Sequence, residues 1–153
     1  MRDDDTFLPL DVRTGRANQQ GNCVLISLHA NWAANEQASG IETFCMQPRL
    51  FNPTIEMPHT HERWQKGNLL AHAVHDQVLT TLGRVYPIKN RKVKHAVLQV
   101  LLGSNCPAIL IELGFLSHPH EAQMLGCQDY QQLLAKGICE GILTFIKSLQ
   151  KSS

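Results

Sequence analysis

Two titratable residues stand where the chain is otherwise apolar. His29 closes the run Cys23-Val24-Leu25-Ile26-Ser27-Leu28, and Glu112 lies inside Ile109-Leu110-Ile111-Glu112-Leu113-Gly114-Phe115. A carboxylate in such a setting costs several kcal/mol if buried without a partner, so it needs an ion pair or a task in proton transfer. An imidazole at the end of a strand is either a hydrogen-bonded core histidine or a metal ligand at the carboxyl edge of a sheet. From the residues alone both alternatives stay open for each. Two further pairs, His59-Thr60-His61 and His118-Pro119-His120, have a spacing that can chelate on an extended backbone. They read as surface loop residues, because a loop imidazole holds a metal only with further groups to orient it.

The elements that would position these groups follow from the hydrophobic pattern. Residues 7 to 19 carry Leu8, Leu10, Val12 and Ala17 among polar residues and predict a short amphipathic helix. Residues 23 to 28, compact and bounded by Gly21-Asn22, predict a buried strand, and Gly40 to Cys45 a second. Met46 to Trp64, broken by Pro48, Pro53 and Pro58, reads as a long loop. Gly67 to Leu82 has helical periodicity and stops at Gly83. Val97 to Leu102 and Ala108 to Leu113 are apolar runs of strand length separated by a turn. Pro119 opens a short helix to Leu125, and Tyr130 to Leu149 predicts a longer amphipathic one. Apolar strands interleaved with helices predict an α/β fold, a mixed or parallel sheet covered on both faces. In such sheets ligands bind beyond the carboxyl ends of the strands, where His29 and Glu112 fall.

The bulk numbers exclude several classes. At 153 residues the chain is the size of one domain spanning 1-153, with 43% hydrophobic and 18% charged residues, as in an ordinary globular protein. A net charge of +1 gives no general attraction to nucleic acid or anionic lipid. The one basic cluster, Lys89, Arg91, Lys92 and Lys94, reads as a solvated loop. Five cysteines, an odd number without close paired spacing, suggest neither a zinc ribbon nor a disulfide framework; Cys23, Cys45 and Cys106 read as core residues. No run is long enough for a membrane helix, and Met-Arg-Asp-Asp-Asp is unlike a signal peptide.

The order of motifs resembles the zinc-dependent N-acetylmuramoyl-L-alanine amidases of the amidase-3 type, bacterial cell-wall hydrolases. The resemblance is carried by Arg2-x-x-Asp5, Leu10-x-x-Arg13-x-x-x-Ala17-Asn18, Ile26-Ser27-Leu28-His29-Ala30-Asn31 and Gly40-Ile41-Glu42-Thr43-Phe44. It continues through Leu70-Ala71, Arg91-Lys92-Val93-Lys94 and Pro107 to Ser117, and ends with Tyr130 and Ala135 in the last helix. It implies a zinc-exopeptidase-like architecture and cleavage of the amide between N-acetylmuramic acid and L-alanine of the stem peptide. His29 matches the family's third zinc ligand and Glu112 its catalytic base. The family's zinc lowers the pKa of a bound water and polarises the scissile carbonyl, while the glutamate carries the proton to the leaving nitrogen. One zinc ion is therefore implied, with its two other ligands expected upstream of Met1, so that the catalytic domain is expected to be N-terminally incomplete.

The implied partner is peptidoglycan, the implied location periplasmic or extracellular, and the implied state a monomer. Lys92 stands where the family usually has glycine, Leu102 where arginine is common, and His118 where asparagine is usual. The eight residues between Asn31 and Gly40 are too few for the occluding regulatory helix of some amidases. Two other readings are carried forward: a non-catalytic peptidoglycan-binding remnant of the amidase fold, and a zinc peptidase of related architecture, which would shorten the stem peptide rather than free it from the sugar.

Overall fold

The computed structural model describes residues 5–46 and 60–151. A short helix α1 (Leu10–Asn18) leads into strand β1 (Leu25–Asn31) and then β2 (Ile41–Cys45). Helix α2 (Thr60–Leu82) precedes β3 (Asn90–His95), the one-turn helix α3 (Gln99–Leu102) and β4 (Ala108–Phe115). Helices α4 (Pro119–Leu125) and α5 (Gln128–Lys151) close the chain. The four strands form one sheet in the order β1-β4-β2-β3. β1 runs parallel to β4 and β2 parallel to β3, but β2 is antiparallel to β4, so the sheet is mixed.

Strand alternation divides β4 between two cores. Ile109 and Ile111 face α2 and α5 and pack with Leu70, Val74, Val78, Leu134 and Phe145. Ala108 and Leu110 face the other way, into a smaller cluster with Ala17 of α1 and Val100 and Leu101 of α3. Helices thus cover both faces, as the strand pattern predicts. Glu112 continues the face of Leu110, beyond the edge of that smaller cluster, and is only partly covered.

The two long helices meet at glycines. A Cβ at Gly141 would lie 2.4 Å from the Val74 Cα, and one at Gly137 would lie 2.7 Å from the Val78 Cα, so the backbones of α5 and α2 touch where any side chain would separate them. Because α2 spans the sheet, this contact fixes α5 against it.

Three expectations are corrected. Val97–Leu102 is not a strand: its last four residues wind into α3, whose Val100 and Leu101 are buried against α1. A short apolar run has no periodicity that separates the two outcomes. The basic cluster enters strand β3 from Asn90 onward and is not a solvated loop, because two of its cations, Arg91 and Lys94, have a buried carboxylate to meet. The long loop expected over Met46–Trp64 is already helical from Thr60, and its stretch 47–59, with His59, lies outside the described residues, as does Arg2.

Gly141→Ala is expected to lower stability by about 1–3 kcal/mol, as overpacking does elsewhere. The urea midpoint checks it, and an unchanged midpoint would mean that α5 does not seat on α2 this closely.

Candidate active site

The ladder brings three titratable side chains into one row. His29 pairs with Glu112 across β1 and β4, and Glu112 pairs with Glu42 across β4 and β2. Directly paired residues share a face. Behind this row, Ser27, Leu110, Phe44 and Lys94 form the next one.

Glu42 is held on both oxygens. The Asn31 Nδ2 donates to Oε1 at 2.9 Å, while the Arg91 Nε (2.8 Å) and the Lys94 Nζ (2.5 Å) donate to Oε2. The Glu42 side chain is only 6% exposed, so these partners offset a real desolvation cost. Burial alone would raise its pKa, but the hydrogen bonds and charges of Lys94 and Arg91 outweigh it and hold the carboxyl below its ordinary value. The two cations also lie over aromatic rings, Arg91 5.0 Å from the Phe115 centroid and Lys94 5.8 Å from that of Phe44.

The neighbouring carboxyl is treated in the opposite way. Glu112 Oε2 is buried and has no hydrogen-bond partner. Burial first, and then the charge of Glu42, push its pKa above the ordinary value. Two adjacent carboxyls whose surroundings drive their pKa values apart are a pattern that acid and base sites share.

His29 completes the row. Its Nε2 lies 3.0 Å from the Ser27 Oγ, and its pKa is lowered, first by burial and then by the charge of Arg13. A lowered pKa keeps the imidazole neutral at pH 7, the form that donates a lone pair. Arg13 is fixed by its own Nε, which donates to the Leu8 carbonyl at 2.7 Å.

Glu121, His75 and Asn90, which sequence reasoning passed over, brace this edge together with Gly40, Asn18 and Lys92 of its motifs. Glu121 accepts from the Gly40 N–H with one oxygen and from the Phe115 N–H with the other, both at 2.7 Å, tying the start of β2 to the end of β4. Gly40 itself has φ +108, and a Cβ there would lie 2.3 Å from the Lys89 carbonyl oxygen. Asn18, in the Ala17-Asn18 motif, donates to the Gly103 carbonyl and accepts from the Asn105 N–H, fastening α1 to the turn before β4. The buried His75 bridges Thr43 (2.9 Å at Nδ1) and the Asn90 Oδ1 (2.9 Å at Nε2). That same oxygen accepts from the Lys92 N–H at 2.7 Å, which holds Lys92 at φ 70. A side chain is strained there, a physical reason for the glycine common at this point in the motif.

The remaining histidine candidates are not part of the row. His118 caps α4, its Nδ1 accepting from the Glu121 N–H at 3.3 Å. His120 follows on α4, beside His118, Glu121 and Tyr86 in a separate hollow, and His61 is exposed on α2. Among the described residues no group of three or more His, Cys, Asp or Glu side chains could hold a metal ion. His29, the one implied ligand in the row, does not by itself meet the three protein ligands of a catalytic zinc.

A family model described as N-acetylmuramoyl-L-alanine amidase matches residues 1–144. The chain belongs to this amidase family. Among curated proteins it is 27% identical to the N-acetylmuramoyl-L-alanine amidase AmiA of Escherichia coli (strain K12), over 94% of this chain and 59% of that protein. Among solved structures it resembles the N-acetylmuramoyl-L-alanine amidase of Clostridium difficile 630, with a TM-score of 0.77 and 32% identity over 96% of this chain and 70% of that one. The catalytic domain of CwlV, an N-acetylmuramoyl-L-alanine amidase of Bacillus (Paenibacillus) polymyxa var. colistinus, gives a TM-score of 0.78 at 26% identity, covering 95% and 70%. The chain thus spans 59% of the length of its AmiA relative. The mixed α/β fold and family membership agree with the motif order.

Linkage gives the row a pH signature. Because the folded-state pKa of Glu112 is raised, folded protein keeps a proton that unfolded chain releases above the ordinary carboxyl value of 4.5. Its contribution to stability is complete below that value and is lost as pH rises through the folded-state pKa. Glu112→Gln, which mimics the protonated form, should therefore gain in stability relative to the native chain between pH 4 and pH 7. Urea midpoints at the two pH values check this, and a gap that closes or reverses would mean Glu112 is not buried as an ionisable group.

Proposed function

We propose that this chain carries the proton-transfer edge of a peptidoglycan amidase, which hydrolyses the amide between N-acetylmuramic acid and L-alanine of the stem peptide. The observation that carries the reading is the opposed treatment of Glu42 and Glu112, side by side in one row with a neutral imidazole. Glu112 has a free oxygen and a raised pKa, the properties of a group that takes a proton from attacking water and gives it to a leaving nitrogen. Glu42 stays ionised and anchors Arg91 and Lys94 beside it. Ser27 orients the ring of His29.

The family's zinc, when bound, supplies an acidified water and a polarised carbonyl. His29 contributes one ligand in this reading, and the other two come from outside the described residues. The substrate is a polymer outside the inner membrane, which places the working protein in the periplasm or beyond. No helix among the described residues is long and apolar enough to cross a membrane.

That the described residues hold no group of three metal-binding side chains favours a second reading, a peptidoglycan-binding module without hydrolysis. Zinc titration of the 153-residue chain against a competing chelator tests the metal role. His29→Ala is expected to weaken zinc affinity at least tenfold, whereas equal affinities would remove His29 from the metal site and favour the binding module.

Digestion of purified sacculi with zinc present tests the chemistry. Release of stem peptides with a free L-alanine amino terminus, slowed by about 10²–10⁴ in Glu112→Gln while sacculus binding persists, supports the amidase reading; sacculus binding without release supports the binding module. Shortened peptides instead of whole ones would identify a peptidase.

A further inference from the structure

Sequence spacing gives no reason to pair any two of the five cysteines, yet the sheet brings two of them together across 83 residues of chain. Leu25 and Ala108 form the first rung of the β1–β4 ladder, and the Leu25 N–H donates to the Pro107 carbonyl at 2.9 Å. Two residues before each strand begins stand Cys23 and Cys106. Both pack in the cluster that contains Ala17, Leu25 and Ala108. The Cys23 Sγ lies 3.5 Å from the Ala17 carbonyl oxygen, and the Cys106 Sγ lies 3.2 Å from the Ser104 Oγ. The strands they lead into are spaced about 4.8 Å apart, and a disulfide spans a Cα separation of about 4.4–6.8 Å, so two chains converging on that first rung come within its reach. The thiols also sense one another: the Cys23 pKa is pushed up to about 11, by burial first and then by a hydrogen bond to Cys106 and its charge.

We propose that Cys23 and Cys106 form a disulfide across the base of β1 and β4 when the protein meets a small disulfide oxidant of the glutathione class. Cys23, the more exposed of the two, loses its proton and attacks the oxidant, expelling one thiol and leaving a mixed disulfide. Cys106 then loses its proton and attacks the Cys23 sulfur, expelling the second thiol. Two protein thiols become one S–S bond, and the oxidant is reduced to two thiols. Because the thiolate is the nucleophile, the rate should rise about tenfold per pH unit from pH 7 to pH 9. The bond would fix the register of the two strands whose opposite ends carry His29 and Glu112. It does not depend on the amidase reading and forms only where an oxidant is present.

The test uses the full chain with the exposed thiols silenced by Cys127→Ser and Cys139→Ser, which leaves Cys23, Cys45 and Cys106. The reduced, folded protein is incubated with oxidised glutathione at pH 8.5, then unfolded, alkylated and weighed. The expected result is one alkyl label, on Cys45, a cross-linked Cys23–Cys106 peptide, and a thermal midpoint several degrees higher that dithiothreitol reverses. Adding Cys23→Ser should restore a label on Cys106. Labels on all three cysteines of the parent, a link to Cys45, or glutathione retained on Cys23 would each overturn the proposal.

Discussion

The site depends on how one buried negative charge is satisfied. Glu42 sits in the middle of a sheet edge, where desolvation is severe, and three donors from two strands converge on it: Asn31 at the end of β1, and Arg91 and Lys94 on β3. This arrangement does two things at once. It ties the outermost strands through the centre, since β1 and β3 never touch in the order β1-β4-β2-β3. It also keeps Glu42 charged beside Glu112, its oxygens already accepting from donors on β1 and β3. That charge adds to burial, the larger cause, in making the next carboxyl reluctant to ionise.

The geometry around that pair is built from backbone constraints as much as from side chains. Glu121 joins β2 to β4 through two amides, and the Thr43–His75–Asn90 bridge joins β2, α2 and the start of β3. Asn90 then holds Lys92 in the left-handed region, so that β3 turns and presents Arg91 and Lys94 toward Glu42. The strain at Lys92 is local and is balanced by bonds within a few residues, which is how strained backbone persists near functional sites.

What the sequence reveals of this is uneven, for physical reasons. His29 and Glu112 are legible because a charged or polar residue inside an apolar strand is conspicuous. Helices α2 and α5 are legible because their periodicity runs over many turns. The Glu42 clamp is not, because its partners lie 49 and 52 residues away and an ion pair leaves no local pattern. Strand β3 is disguised by the same fact: its cations resemble a solvated loop until their carboxylate is known. Val100 and Leu101 mislead in the other direction, since burial against α1 makes a short helix look like a strand. The pairing of Cys23 with Cys106 emerges only once the parallel register is known.

Among the described residues, β1 has a neighbour on one side only, while its other side borders an open apolar hollow of about 580 Å3 lined by Leu28, Ala30, Leu113, Leu116, Leu125 and Ile138. Leu28 is 56% exposed there. Such a strand opens before the interior ones do, because fewer contacts must break. His29 rides on β1 and Glu112 on β4, so opening at this edge of the sheet separates the imidazole from the carboxyl. On warming, the row of His29 and Glu112 would then part at a temperature where α2 and α5 are still fully wound.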